Sequence, residues 1–222
     1  MIEADGVRFR YGEGRFRLEL SGFHIARGEK VALIGPSGAG KTTLVYLIAG
    51  ILLPQAGRIR VDGVELSGKT DRQRRDFRIS RIGFVFQEFE LLEYLSVRDN
   101  ILLPYYVNDT LPLTPEVYRT AEALAGSMNL ADKLRRFPRA LSHGEKQRVA
   151  ICRALMTSPE ILIADEPTGN LDPGTAGVIL SLLLREVEQR QATLLMVTHN
   201  HALLEAFDRA IDVEKYAREA AS

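Results

Sequence analysis

Nine residues, Gly35-Pro36-Ser37-Gly38-Ala39-Gly40-Lys41-Thr42-Thr43, narrow the folds open to this chain more than any other segment. They follow the short apolar run Val31-Ala32-Leu33-Ile34 and precede a stretch in which Leu44, Leu47 and Ile48 recur at helical spacing. A strand that turns through such a loop into a helix aims several backbone N–H groups at one point, which is how a chain holds an anion. The glycines let those groups converge on phosphate oxygens without a Cβ in the way. Lys41 supplies a point charge for β- and γ-phosphates, and the Thr42 hydroxyl is placed to ligate Mg²⁺.

The loop fits the P-loop pattern in the strand-to-helix context its mechanism needs. Ile161-Leu162-Ile163-Ala164 and Leu194-Leu195-Met196-Val197 are likewise short, continuous and apolar, as strands of a parallel sheet buried on both faces are. Val178, Ile179, Leu182, Leu183 and Val187 share a helical face, so the main body reads as an open α/β sheet with crossover helices. Ligands then belong at the carboxyl ends of the strands. A different pattern fills the first sixty or so residues. Arg15 to Leu20 and Arg58 to Val61 alternate, and Asp62-Gly63 leads as a hairpin turn into Val64-Glu65-Leu66, which suits an antiparallel sheet with one wet face. Between about 90 and 140 the pattern is mostly helical, with Thr114 as N-cap, Pro115 in the first turn, and Val117, Ala121, Leu124 and Met128 on one face.

The reading is therefore one α/β domain over 1–222, with core and antiparallel β subdomain in 1–90 and 145–222 and an inserted helical subdomain with its following loop at about 91–144. Lys plus Arg and Asp plus Glu both number 29, which argues against a protein that coats nucleic acid. The single cysteine, Cys152, rules out an intramolecular disulfide and fits a reducing compartment, with core packing its expected role. No apolar run approaches the length of a membrane span, and the N-terminus resembles neither a signal nor a transit peptide, so a soluble cytosolic chain is expected. The basic run Arg72, Arg74, Arg75, Arg78 and Arg81 reads as a solvated face, with a partner or lipid-headgroup contact as the alternative.

Two further stretches carry chemistry. Ile161 to Ala164 ends in Asp165-Glu166, delivering two carboxylates to the ligand edge: Asp165 to hold Mg²⁺, directly or through water, and Glu166 to polarise an attacking water. Leu141-Ser142-His143-Gly144-Glu145 then turns abruptly into a helix with an apolar face, a second anion-gripping device. One nucleotide does not need two, but two copies of the chain do. Ser142, the Gly144 N–H, Glu145 and the helix N-terminus of one copy would close over the γ-phosphate held by Lys41 of the other, making ATP the glue of a head-to-tail dimer.

Taken in order, GPSGAGKTT, Gln87, LSHGEKQR, ILIADE, Asn170-Leu171-Asp172 and His199 resemble the motif series of an ABC-type ATPase subunit over almost the whole chain. The resemblance implies an ABC-type nucleotide-binding fold, ATP with Mg²⁺ as substrate, and ligation of the metal by Thr42, Gln87 and Asp165. It also implies that Tyr11 stacks on adenine, Gln87 senses Mg²⁺ and the attacking water, Asp172 touches the opposite protomer and His199 contacts the γ-phosphate. The alternatives are an ordinary turn aromatic for Tyr11 and, without the other motifs, a packed and satisfied histidine for His199. Two residues depart from the usual LSGGQ. His143 replaces its first glycine, at a cost of about 1 kcal/mol if that position needs positive φ. Glu145 replaces its glutamine, where a carboxylate would repel phosphate unless Lys146 screens it.

FQEFELLEYLSVRDNILLP and IADEPTGNLD are most similar to the LolD, MacB and FtsE group, which serves lipoprotein release, macrolide-type export or cell-division control. That similarity implies a homodimer, peripheral on the inner face of the cell membrane, working with separate integral membrane permeases and with no nucleic acid. Residues 86–101 mix apolar and acidic side chains directly after Gln87, as a surface gripping a partner's helix would; packing on the chain's own helical subdomain is the alternative. A regulator that clamps a membrane protein is the second functional class. A soluble ATPase of DNA repair or translation is the third, and the chain lacks the coiled-coil insert, zinc cysteines or tandem cassette expected there.

Overall fold

A computed structural model describes residues 1–12 and 16–219. Arg15, the first residue of the alternating run, lies outside the described residues, as do Ala220, Ala221 and Ser222 of the C-terminal KYAREAAS. In chain order the elements are β1 (Ile2–Arg10), β2 (Phe16–Leu20), β3 (Phe23–Ile25), β4 (Lys30–Ile34), α1 (Lys41–Ile48), β5 (Ala56–Val61), β6 (Val64–Glu65), α2 (Asp71–Arg81) and β7 (Ile82–Val85). There follow α3 (Val97–Tyr106), α4 (Pro115–Ser127), α5 (His143–Leu155), β8 (Ile161–Asp165), α6 (Pro173–Arg190), β9 (Thr193–Val197), β10 (Arg209–Asp212) and β11 (Ala217–Glu219). They form two compact units, Met1–Arg78 with Thr193–Ser222, and Ile79–Ala192.

The first unit contains the antiparallel sheet, in the order β11-β2-β1-β5-β6, with β3 also paired to β1. Alternation decides its faces. Ile2, Ala4, Val7, Phe9, Leu18, Leu20, Ile59 and Val61 are buried, while opposite charges meet across the wet face in the pairs Glu3–Arg60, Asp5–Arg58 and Arg8–Glu19. The β5–β6 hairpin turns through Asp62 (φ 50°) and Gly63 (φ 74°), both left-handed as a two-residue turn requires. In the same unit β4 runs parallel between β9 and β10, and its three central residues are fully buried.

Arg72, Arg75 and Arg81 are exposed, as a solvated face requires, but Arg74 and Arg78 are half-buried and turn inward. On α2, Arg74 donates from Nε to the Gly50 carbonyl (3.0 Å) and from Nη1 to that of Lys69 (2.7 Å), and Arg78 donates to that of Ala49 (3.3 Å). The bonds to Ala49 and Gly50 satisfy carbonyls at the C-terminal end of α1, where a helix leaves acceptors unpaired, and the bond to Lys69 ties down the segment before α2. Burial lowers the Arg78 pKa from its ordinary value.

The second unit takes in the expected helical segment together with β7, β8, α5 and α6. Strands β7 and β8 pair in parallel, Val85 opposite Ala164. Helix α5 is its core rod, burying Val149, Ala150, Ile151, Cys152 and Leu155. Cys152 is a packing residue: its Sγ lies 3.6 Å from the Leu124 carbonyl, and burial pushes its pKa up, away from thiolate chemistry. Buried Asn100 ties the segment before α3 together, accepting from the Leu92 N–H and donating to the carbonyls of Leu92, Leu95 and Ser96. On α6 the buried face is Ile179, Leu180, Leu183, Glu186 and Val187. Val178, expected on that face, is 55% exposed, because the buried stripe is rotated toward Leu180 and Glu186, the latter paired with Arg190 at 3.1 Å.

Candidate functional site

In the first unit, the phosphate loop leaves β4 at Ile34 and enters α1 at Lys41. Gly40 caps the helix with φ 92°, and a Cβ there would stand 2.5 Å from the Phe16 ring, so both conformation and space require glycine. Lys41 is 6% exposed and donates from Nζ to the carbonyls of Gly35 and Pro36, both at 2.9 Å, which pins its ammonium over the turn formed by Gly35, Pro36, Ser37, Gly38 and Ala39. Thr42 is exposed on the first turn of α1, whereas Thr43 is buried. Tyr11 comes to the same helix, its hydroxyl 3.2 Å from Thr43 Oγ1 and its ring edge-on to Phe9 at 4.9 Å, with about half of its surface exposed. His199 leaves β9 beside the point where the phosphate loop leaves β4, since Leu33 pairs with Val197 and the Thr198 N–H donates to the Leu33 carbonyl. It is exposed, not packed.

In the second unit the Val85–Ala164 pairing brings Gln87 and Asp165-Glu166 out at one sheet edge. Gln87 is exposed and Asp165 half-buried. Glu166 is left-handed (φ 46°), which swings its side chain away from the line of β8, and its carbonyl accepts from the Gly169 N–H at 3.1 Å. Asn170 donates to the Gln87 carbonyl at 3.3 Å. Asp172 caps α6 by accepting from the Thr175 N–H at 3.0 Å, and the Thr175 bonds hold its carboxyl below the usual range.

Ser142 and Glu145 form a reciprocal capping box at the start of α5: the Glu145 N–H donates to Ser142 Oγ (3.2 Å) and the Ser142 N–H to Glu145 Oε2 (2.8 Å). The Ser142 backbone bond lowers the Glu145 pKa, and Lys133 Nζ lies 3.7 Å from its other oxygen. The screening cation is thus Lys133; Lys146 pairs instead with Glu93 at 3.8 Å. His143 is an ordinary first-turn helical residue, so positive φ, and the cost attached to it, does not arise. Gly144 is buried, and a Cβ on it would meet Thr175 Cγ2 at 2.8 Å, which fits α5 closely against the start of α6.

Sequence reasoning missed Lys133 and Arg153 and gave Phe16 and Phe89 other places, since their contacts join residues far apart in the chain; Arg153 reaches the Phe89 and Glu90 carbonyls across 64 and 63 positions. No local pattern marks such a bond. Asn170, by contrast, was legible as part of the Asn170-Leu171-Asp172 motif.

The glycine-rich turn before α1, the capped turn before α5 and the sheet edge carrying Gln87 and the paired acids match the parts expected of an ATPase. The ABC transporter family model matches residues 18–169. The chain belongs to that ABC transporter family. As an ABC ATPase it is similar to an uncharacterized ABC transporter ATP-binding protein of Mycobacterium tuberculosis, 42% identical over 93% of this chain and 83% of that one. It is also similar to the lipoprotein-releasing system ATP-binding protein LolD of Cereibacter sphaeroides, 39% identical over 96% of each chain. Among solved structures, the ATP-binding cassette MJ0796, a dimer bound to ADP and Pi in a post-hydrolysis state, superposes with a TM-score of 0.84 at 28% identity over 100% of both chains. CbiO1 of Clostridium perfringens, part of the ABC transporter complex CbiONQ, does so at 0.84 and 27% identity, over 96% of this chain and 85% of that one. This ABC chain is an ATPase subunit of the kind to which LolD belongs. Among the described residues no helix is long and apolar enough to cross a membrane.

Proposed function

We propose that this ABC ATPase is the motor of a separate membrane permease of the FtsX/MacB type, working in lipoprotein release or export across the cell envelope. It would act as a homodimer on the inner face of the membrane. Two copies would pair so that Ser142 and Gly144 of one close over the γ-phosphate held by Lys41 of the other, with Asp172 crossing the same seam. The dimeric state of the related cassette supports this pairing.

Within each site Tyr11 would carry the adenine and Lys41 the β- and γ-phosphates. The hydroxyl of Thr42, the amide oxygen of Gln87 and the carboxylate of Asp165 are all hard oxygen donors, few in number, which fits Mg²⁺ bound chiefly through substrate phosphates. Bound there, Mg²⁺ neutralises charge on the phosphate oxygens. Glu166 would orient and polarise a water for attack on the γ-phosphorus. A new P–O bond forms as the bond to the bridging oxygen breaks, ADP leaves with that electron pair, and the proton from water ends on inorganic phosphate or ADP. His199 would steady the γ-phosphate during transfer.

The observation that carries the coupling is the segment beginning at Gln87, which runs from the ligand edge to Tyr94, 75% exposed beside exposed Glu93. An aromatic and acidic tip of this kind suits a short helix of a membrane partner. The test is co-purification from detergent-solubilised native membranes with Glu166→Gln and Mg-ATP. Equal recovery of a multi-span protein with a large extracytoplasmic region is expected, and its loss on charge reversal at Glu90 and Glu93. Recovery of nucleic acid or ribosomal proteins without a membrane protein would overturn the proposal.

A further inference from the structure

Residues Gln87 to Glu90 are gripped from three directions inside the second unit. Asn170 donates to the Gln87 carbonyl at 3.3 Å. Arg153, only 9% exposed, donates to the carbonyls of Phe89 (2.7 Å) and Glu90. The Phe89 ring stacks on the His143 ring, centroids 5.9 Å apart and planes 27° apart. Phe89 and Glu90 are consecutive left-handed residues (φ 59° and 48°), a conformation that side-chain-bearing residues avoid unless their surroundings impose it. The Arg153 guanidinium imposes it here, and the turn it fixes presents Phe89 to His143.

Both His143 and Arg153 belong to α5, one on its first turn and the other in its last. The helix that carries the signature turn is therefore fastened to the glutamine segment at two points. The usual signature has glycine where His143 stands, and glycine has no ring to offer. We propose that His143 is a positioning residue: stacked on Phe89, it locks the signature turn to the Gln87 segment so that both move as one piece when a second copy's nucleotide docks on Ser142 and Gly144. The proposal rests on the reading of Gln87 as the nucleotide-sensing residue.

The full-length chain tests it through amide hydrogen exchange over residues 86–91 and through steady-state ATPase, in His143→Gly, His143→Phe and Phe89→Ala. His143→Gly is expected to raise exchange in that segment and to lower kcat by roughly three- to tenfold, with KM for ATP moving less than about twofold. His143→Phe, which keeps a ring, should restore both. The double variant His143→Gly/Phe89→Ala should be no worse than either single one. Unchanged exchange in His143→Gly, failed rescue by phenylalanine, or effects that multiply in the double variant would overturn the proposal. Gln87→Ala separates the two readings: unchanged kcat there removes the sensing role and the proposal with it, while lowered kcat alongside unchanged exchange in His143→Gly refutes the lock alone. Circular dichroism checks that each variant is folded.

Discussion

Glu166 holds a backbone conformation that costs about 1 kcal/mol for a residue with a side chain, with φ at 46° directly after β8, which is buried from Ile161 to Ala164. The turn it makes separates its carboxylate from that of Asp165, which supports the proposed division of one acid for the metal and the other for the water. Replacing Glu166 by Gln keeps the shape and removes the base. Phosphate release measured under saturating ATP should fall by about 10²- to 10⁴-fold while nucleotide binding persists. Glu145 makes a different prediction, of stability. Folding lowers its pKa below the ordinary 4.5, so its stabilisation is complete above that value and is lost as pH falls through the depressed folded value. Glu145→Gln keeps the capping box but not the charge at the helix N-terminus. Urea unfolding should show it less stable than the parent by about 0.3–1 kcal/mol at pH 7, with the gap closing as pH falls through the depressed folded value.

At the scale of elements, α1 depends on a helix that follows it in sequence. Arg74 has a side chain 11% exposed and bonds the carbonyls of Gly50 and Lys69. Arg74→Ala leaves those acceptors without it, and chemical denaturation should register a loss of about 1–3 kcal/mol, whereas Arg72→Ala, on an exposed residue, should stay within about 0.5 kcal/mol. The arginine run shows where a sequence stops being legible. Strands β4, β8 and β9 were readable because burial on both faces writes a continuous apolar run, and the β5–β6 hairpin because Asp62-Gly63 permits only a tight left-handed turn. The phosphate loop and the acids after β8 were readable because their chemistry demands fixed spacing. Arg74 and Arg78 were not, since a charge that caps a distant carbonyl looks like a solvated charge until the two are brought together. Val178 misled for a related reason: its apolar spacing continues a stripe that packing rotates away from it. For His143 the family pattern suggested a strained glycine position, and the capping box at Ser142 shows a helical one.

At the scale of the whole molecule, the proposed function needs two copies, the loop before α1 of one holding the phosphate that the turn at the start of α5 of the other would meet. On that proposal ATP links the copies and hydrolysis releases them. Association should follow nucleotide and not protein concentration alone, because a ligand gripped by two chains stabilises the pair by mass action. The direct measurement is the solution mass of the 24.8 kDa chain carrying Glu166→Gln, by light scattering on a sizing column. A doubling of mass with Mg-ATP, absent with Mg-ADP and absent when Lys41→Ala is added, is the predicted result. A Glu166→Gln chain that binds ATP stoichiometrically and remains a monomer would contradict the two-copy site.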